Sequence, residues 1–148
     1  QAGLSWVTIL KKREAYRLAF DGFNAEKMAL YDEAKVSELM QNAAIVRNQL
    51  KIRAAIHNAQ RYLELIEVKS SLGEHLWGFV DGEPIVNRFT SLTQIPASTP
   101  LSDSISKDMQ QRGFKFFGST ICYAYMQATG LVNDHLTSCF RHSACEKT

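Results

Sequence analysis

No cysteine occurs in the first 121 residues of this 148-residue chain, and the three that follow, Cys122, Cys139 and Cys145, cannot all pair with one another. A disulfide-built fold is therefore excluded, and the usage fits a reducing, intracellular compartment. Proline is scarce too: there are three, Pro84, Pro96 and Pro100, all within residues 83–100. No apolar run is long enough to cross a bilayer. The opening "QAGLSWVTILKKRE" has no charged region ahead of its apolar stretch, so it does not read as a signal peptide. Alternating strand patterns are poor, no internal repeat or low-complexity tract occurs, and no Gly-rich nucleotide loop of the Walker or Rossmann type is found. No pair of carboxylates marks itself out for acid–base work. Charge is nearly balanced, at +2 with a pI near 8.5, so a nucleic-acid partner would have to be recognised by a local basic face rather than by overall charge.

What is present is helical spacing, and it predicts an all-α fold. From Trp6 onward, Ile9, Leu10, Tyr16, Ala19 and Phe20 form a stripe at period 3.6. Ser5 is placed to cap it and Asp21–Gly22 to stop it. "NAEKMALY" and "DEAKVSELM" read as short helices capped by Asn24 and Asp32. A longer helix is predicted over 49–68, with Leu50, Ala54, Ile56, Tyr62, Leu63 and Ile66 on its apolar side. "SLGEHLWGFVDGEP" predicts a short helix ending at a turn, and "GFVDGEPIV" is a weak hairpin signal that we do not adopt. The chain is read as one domain of 148 residues: a helical region over 1–82, a loop over 83–100, and a C-terminal region over 101–148. In the last region "SDSISKDMQQR", with Ser102 as its expected cap, is followed by "GFKFFG" and then by "STICYAYMQATG", which ends at Gly130.

Three stretches suggest chemistry. In the first, a glycine-bounded turn opens a helix and exposes unpaired N–H groups with the helix dipole behind them, an arrangement that suits a phosphate. Gly113 and Gly118 bound the turn, Ser119 and Thr120 add hydroxyls, and Arg112 and Lys115 add charge. A plain turn between packed helices is the alternative. The second stretch is "HLTSCFRHSAC". His135 and Cys139 would lie one turn apart on one face if the segment is helical, and two ligands fall short of the four that a structural zinc site needs. Either His142 and Cys145 complete a local set, or the other half of the site lies elsewhere; a buried neutral histidine and free thiols are the bland reading. Cys122, in an apolar helix, is assigned to the core. Trp6 next to Lys11, Lys12 and Arg13 could be a stacking platform beside a basic edge, although such a tryptophan is more often core and such a charge run a solvated face.

The stretches "QAGLSWVTILKKRE" and "RGFKFFGSTICYAYMQATGLVNDHLTSC", together with the all-α plan, resemble the 3-methyladenine DNA glycosylase I family of the helix–hairpin–helix superfamily, over essentially the whole chain. The resemblance implies a monofunctional glycosylase of base excision repair, which flips 3-methyladenine from alkylated double-stranded DNA and hydrolyses its N-glycosidic bond. It implies a bacterial, cytoplasmic, nucleoid-associated enzyme working as a monomer. Trp6 and Gln1 would belong to the base pocket, Leu4 would be the wedge filling the gap left by the flipped base, and Gly113, Lys115, Gly118, Ser119 and Thr120 would contact DNA. His135 and Cys139 would be half of a zinc site. The other two ligands, and the pocket glutamate of the family, are expected upstream of Gln1, so no catalytic residue is assigned. Thr120 stands where lyase-type relatives carry a nucleophilic lysine, and Asn133 where they carry a catalytic aspartate, which implies no Schiff base. The alternative is a DNA-binding helix–hairpin–helix module that has lost catalysis with those absent residues.

Overall fold

Residues 5–146 are described by the computed structural model, and they fold into two units. The first takes the described residues up to Val68 together with Arg112–Phe116; the second takes Lys69–Gln111 and the described residues from Phe117 onward.

In the first unit, side-chain caps set the helix starts. Ser5 Oγ accepts the Thr8 amide and opens α1 (Trp6–Lys11); Asn24 accepts the Lys27 amide before α3 (Ala25–Ala29), and Asp32 the Lys35 amide before α4 (Glu33–Gln41). The single helix expected from Trp6 to Phe20 is instead two, because the chain kinks at Lys12 before α2 (Arg13–Ala19). There the Lys12 ammonium donates to the carbonyls of Ala44 at 2.9 Å and Ala43 at 3.3 Å, so some of the "KKR" run ties down the loop after α4 rather than lying free in solvent. Helix α2 stops at the expected Asp21–Gly22 turn, where both residues are left-handed, at φ +50° and +66°. The long helix, α5, spans Gln49–Val68 as the spacing predicts. It contributes Ile52, Ile56 and Ala59 to a core shared with Phe20, Met28, Val36, Leu39 and Ile45. Leu50 is not on that side; it is 72% exposed.

In the second unit, α6 (Leu72–Trp77) is capped by Ser71. Helix α7 (Pro100–Gln111) begins three residues earlier than a cap at Ser102 would place it. Thr99 Oγ1 accepts the Ser102 amide and Ser102 Oγ accepts the Thr99 amide, a reciprocal cap with Pro100 as the first helical residue. Ser102 therefore lies inside the helix, fully buried, instead of capping it. Helix α7 packs on α8 (Ser119–Thr129), with Ile105, Met109, Cys122 and Met126 all buried. After Gly130, at φ +83°, the chain forms β2 (Val132–Asn133), which pairs in parallel with β1 (Ile85–Val86) in the register Ile85–Val132 and Val86–Asn133. The "GFVDGEPIV" segment forms no hairpin; the partner of "IV" lies far along the chain, where no local pattern announces it. A short α9 (Phe140–Ala144) follows.

Candidate nucleic-acid interface and metal pair

The connection between α7 and α8 is held by side chains at both of its ends. In the first unit, Gly113 stands at φ +90°, a backbone conformation that favours glycine, and an added Cβ would also press on the Arg61 side chain, 3.0 Å from its Cδ. His57 Nε2 donates to the Gly113 carbonyl at 2.9 Å. Asn58 brackets the next exposed residue: its Nδ2 donates to the Lys115 carbonyl at 2.9 Å, and the Lys115 amide donates to its Oδ1 at 2.7 Å. Phe114 turns into the core, while Lys115 and Phe116 stay exposed. Phe116 sits at φ +55°, and the Lys51 ammonium lies 5.9 Å from its ring centre.

In the second unit, the Phe117 carbonyl accepts from Ser106 Oγ at 2.7 Å and from Gln110 Nε2 at 3.2 Å. Gly118 is then the N-cap of α8, with φ −78° and nothing within 4 Å of where a Cβ would stand. Its backbone would suit any residue; what glycine leaves there is open space beside the first turn of a helix, whose amides have no intrahelical acceptor. The two hydroxyls at this turn differ. Ser119 Oγ is paired with the buried Ser102 at 2.8 Å, linking α8 to α7, whereas Thr120 is exposed.

Trp6 is the first residue of α1 and is 70% exposed. It is therefore not part of the core, and its ring is open to solvent. Gln1 and Leu4, read as pocket edge and wedge, lie outside the described residues.

In the tail, His135 Nδ1 and Cys139 Sγ stand 3.9 Å apart. The segment between them is not helical; a turn closed by the Cys139 amide on the Leu136 carbonyl at 2.8 Å brings the two together. The local four-ligand clamp is not formed. His142 is buried, its Nε2 donates to the Asn87 carbonyl at 2.8 Å, and its Nδ1 faces Glu146 at 3.7 Å. Among the described residues no three metal-binding side chains gather. His142 instead anchors α9 to the loop after β1. Cys122 is 1% exposed, and burial pushes its thiol up to about 11, in keeping with a core role.

Asn133 is buried and holds the tail, donating to the His142 carbonyl at 2.9 Å and accepting the His135 amide at 3.2 Å. Asp134 accepts from Asn87, Tyr123 and Gln127. It lies with Trp77, Pro84, Ile95, His135 and Cys145 around a cavity of about 500 Å³ in the second unit.

His57, Asn58, Ser106 and Gln110 were not singled out in the sequence. One signal was available for the first two, since they are polar residues lodged between buried Ile56 and Ala59 on α5.

Residues 1–142 match the methyladenine glycosylase family. Among curated proteins, the chain is 49% identical over 139 residues to DNA-3-methyladenine glycosylase 1 of Escherichia coli, covering 94% of this chain and 74% of that protein. Among solved structures it is similar to a crystal structure of 3-methyladenine DNA glycosylase I, with TM-score 0.90 and 50% identity, covering 96% of this chain and 78% of the other. It is also similar, with TM-score 0.90 and 35% identity over 96% of this chain and 76% of the other, to the Staphylococcus aureus 3-methyladenine DNA glycosylase I whose structural basis of 3-methyladenine recognition has been described.

Proposed function

Starting from the fact that this chain belongs to the methyladenine glycosylase family, we propose that it excises 3-methyladenine from alkylated DNA by hydrolysing the N-glycosidic bond. The observation that carries this is the family match over residues 1–142, together with two curated relatives, 49% and 43% identical over 139 residues, that are named for that activity. A methyl group on N3 makes the base of the nucleoside cationic. Cleavage of the bond to C1′ releases it as neutral 3-methyladenine, water supplies the hydroxyl on C1′, and one proton goes to solvent. A leaving group that is neutral on departure needs little acid catalysis, so recognition by shape and stacking carries much of the selectivity. An everted cationic purine over an exposed indole such as Trp6 would gain roughly 0.5–2 kcal/mol.

The substrate we assign is duplex DNA, gripped at the α7–α8 connection. Support comes from the exposed Lys115, the open space beside Gly118 and the free first-turn amides of α8. Thr120, exposed where a lyase would place its lysine, suits a glycosylase without a Schiff-base step. Its setting is the bacterial cytoplasm, where the DNA is, and it acts as a monomer. A DNA-binding module without catalysis is the less favoured reading, because the relatives reported above are named as glycosylases.

A structural zinc ion would take two of its ligands from the tail. Zn–S and Zn–N bonds of about 2.3 and 2.05 Å at a tetrahedral angle put the two donor atoms about 3.6 Å apart. The 3.9 Å between Cys139 Sγ and His135 Nδ1 is close to that. His135 and Cys139 would hold the ion, which would tie the tail down, with further ligands from outside the described residues.

Methylated duplex DNA incubated with the protein should yield free 3-methyladenine by chromatography, with the strands intact until alkali is added. Base release that is undetectable at saturating DNA rejects the enzyme reading; strand cleavage without alkali rejects the monofunctional one.

A further inference from the structure

We propose that Asn58, on α5, is the positioning residue of the DNA-gripping loop: by bracketing Lys115 it holds Lys115 and Phe116 in the conformation that meets the sugar–phosphate backbone. This rests on the reading above that the α7–α8 connection binds DNA. Asn58 makes two hydrogen bonds to a single residue, accepting its N–H at 2.7 Å and donating to its C=O at 2.9 Å. A neighbouring strand would offer a residue the same pairing, and it fixes the peptide planes on both sides of Lys115. The next residue needs that support, because Phe116 stands at φ +55°, a conformation that L side chains disfavour. The preceding residue of α5, His57, holds the near end of the loop through the Gly113 carbonyl. Two consecutive helix residues thus clamp both ends of a short stretch.

Both Asn58 bonds are to backbone, so the Lys115 side chain keeps its exposure, as does Phe116 at 56%. A solvated turn has no need of a bidentate clamp beneath an exposed cation. A loop that must present a charge and an aromatic edge without first being ordered does, because each group frozen on binding subtracts from affinity. Lys51, near the Phe116 ring, extends the same basic surface onto α5.

The test compares Asn58→Ala and Lys115→Ala by three measurements: affinity for a short undamaged fluorescent duplex, single-turnover release of 3-methyladenine at saturating DNA, and amide exchange at residue 115. We expect Asn58→Ala to weaken binding roughly tenfold, to keep the saturated rate within about twofold, and to speed exchange at residue 115. Lys115→Ala should weaken binding without speeding exchange. Lost affinity in Lys115→Ala with full affinity in Asn58→Ala overturns the positioning role and leaves the loop as a DNA contact. Full affinity in both overturns the DNA contact and the proposal with it. A saturated rate that falls in step with affinity in Asn58→Ala overturns positioning in favour of a general loss of structure. If Asn58→Ala does not fold, Asn58→Leu, which keeps the side-chain volume and removes both hydrogen bonds, takes its place in the same comparison.

Discussion

The Tyr123 hydroxyl on α8 donates to the Asp134 carboxylate at 2.6 Å. Asn87, just after β1, and Gln127, one turn further along α8, donate to the same group at 2.7 and 2.8 Å. One carboxylate thereby joins the helix, the strand pair and the loop in the second unit, immediately before the His135 candidate ligand. All three of these donors are neutral groups.

Stability should fall at alkaline pH, and this helix should be one cause. Burial, and then the bond to Asp134, raise the Tyr123 phenol above its ordinary value; burial raises the Cys122 thiol to about 11. Both groups hold their protons more tightly when folded, so their contribution is complete below their unfolded values and is lost as pH climbs. The thiol acts between about pH 9 and 11 and the phenol above about pH 10, each at up to about 1.4 kcal/mol per pH unit. Urea midpoints across this range should decline more gently in Tyr123→Phe than in the parent. The variant should also cost about 1–2 kcal/mol near neutral pH. Some alkaline loss will persist in it, because Tyr31 is raised as well, by burial and then by Asp21. An unchanged slope would count against the Tyr123–Asp134 bond.

Removing the reciprocal cap of α7 should destabilise the second unit. Thr99→Ala deletes the acceptor for the Ser102 amide and should cost about 1 kcal/mol. A lowered thermal midpoint, with base release unchanged at permissive temperature, is the expected result.

Metal content should follow His135 and Cys139. Cys139→Ser and His135→Ala should each lower zinc per chain after dialysis against a buffered zinc solution. In the cobalt-substituted protein, Cys139→Ser should also lose thiolate-to-metal charge-transfer absorption. His142→Ala should lower stability, through loss of the bond to the Asn87 carbonyl, while keeping the metal. Zinc lost with His142 but retained without Cys139 would reverse the assignment.

Lys115 should register in the salt dependence of duplex binding. If it neutralises one phosphate, Lys115→Ala will reduce the slope of log K against log salt by about 1 and weaken binding to all sequences alike. A variant whose slope equals that of the parent would remove Lys115 from the interface.

Much of the local plan could be read in the residue order. Ser5, Asn24 and Asp32 each cap the helix they precede, because a capping side chain needs only amides two or three residues away. The reach of α5 over Gln49–Val68 follows from apolar spacing across many turns. The break at Lys12 was hidden, since the apolar spacing runs on through it, and the carbonyls at Ala43 and Ala44 that its ammonium meets lie outside any window around Lys12. Ser102 was misplaced as a cap because Thr99 and Pro100 looked like the end of a loop, and the reciprocal bond shifted the start of the helix toward them.

The sequence by itself determined the helical class, the family and the pairing of His135 with Cys139 as candidate ligands, because periodicity, long motifs and residue type are properties of the chain order. Tertiary structure alone decided that His142 faces the Asn87 carbonyl rather than a metal, that β1 finds its partner beyond Gly130, and that α5 clamps Lys115. The physical reason is the same in each case: a backbone or side-chain polar group takes the partner that tertiary packing brings within hydrogen-bond reach, and that partner stands anywhere along the chain.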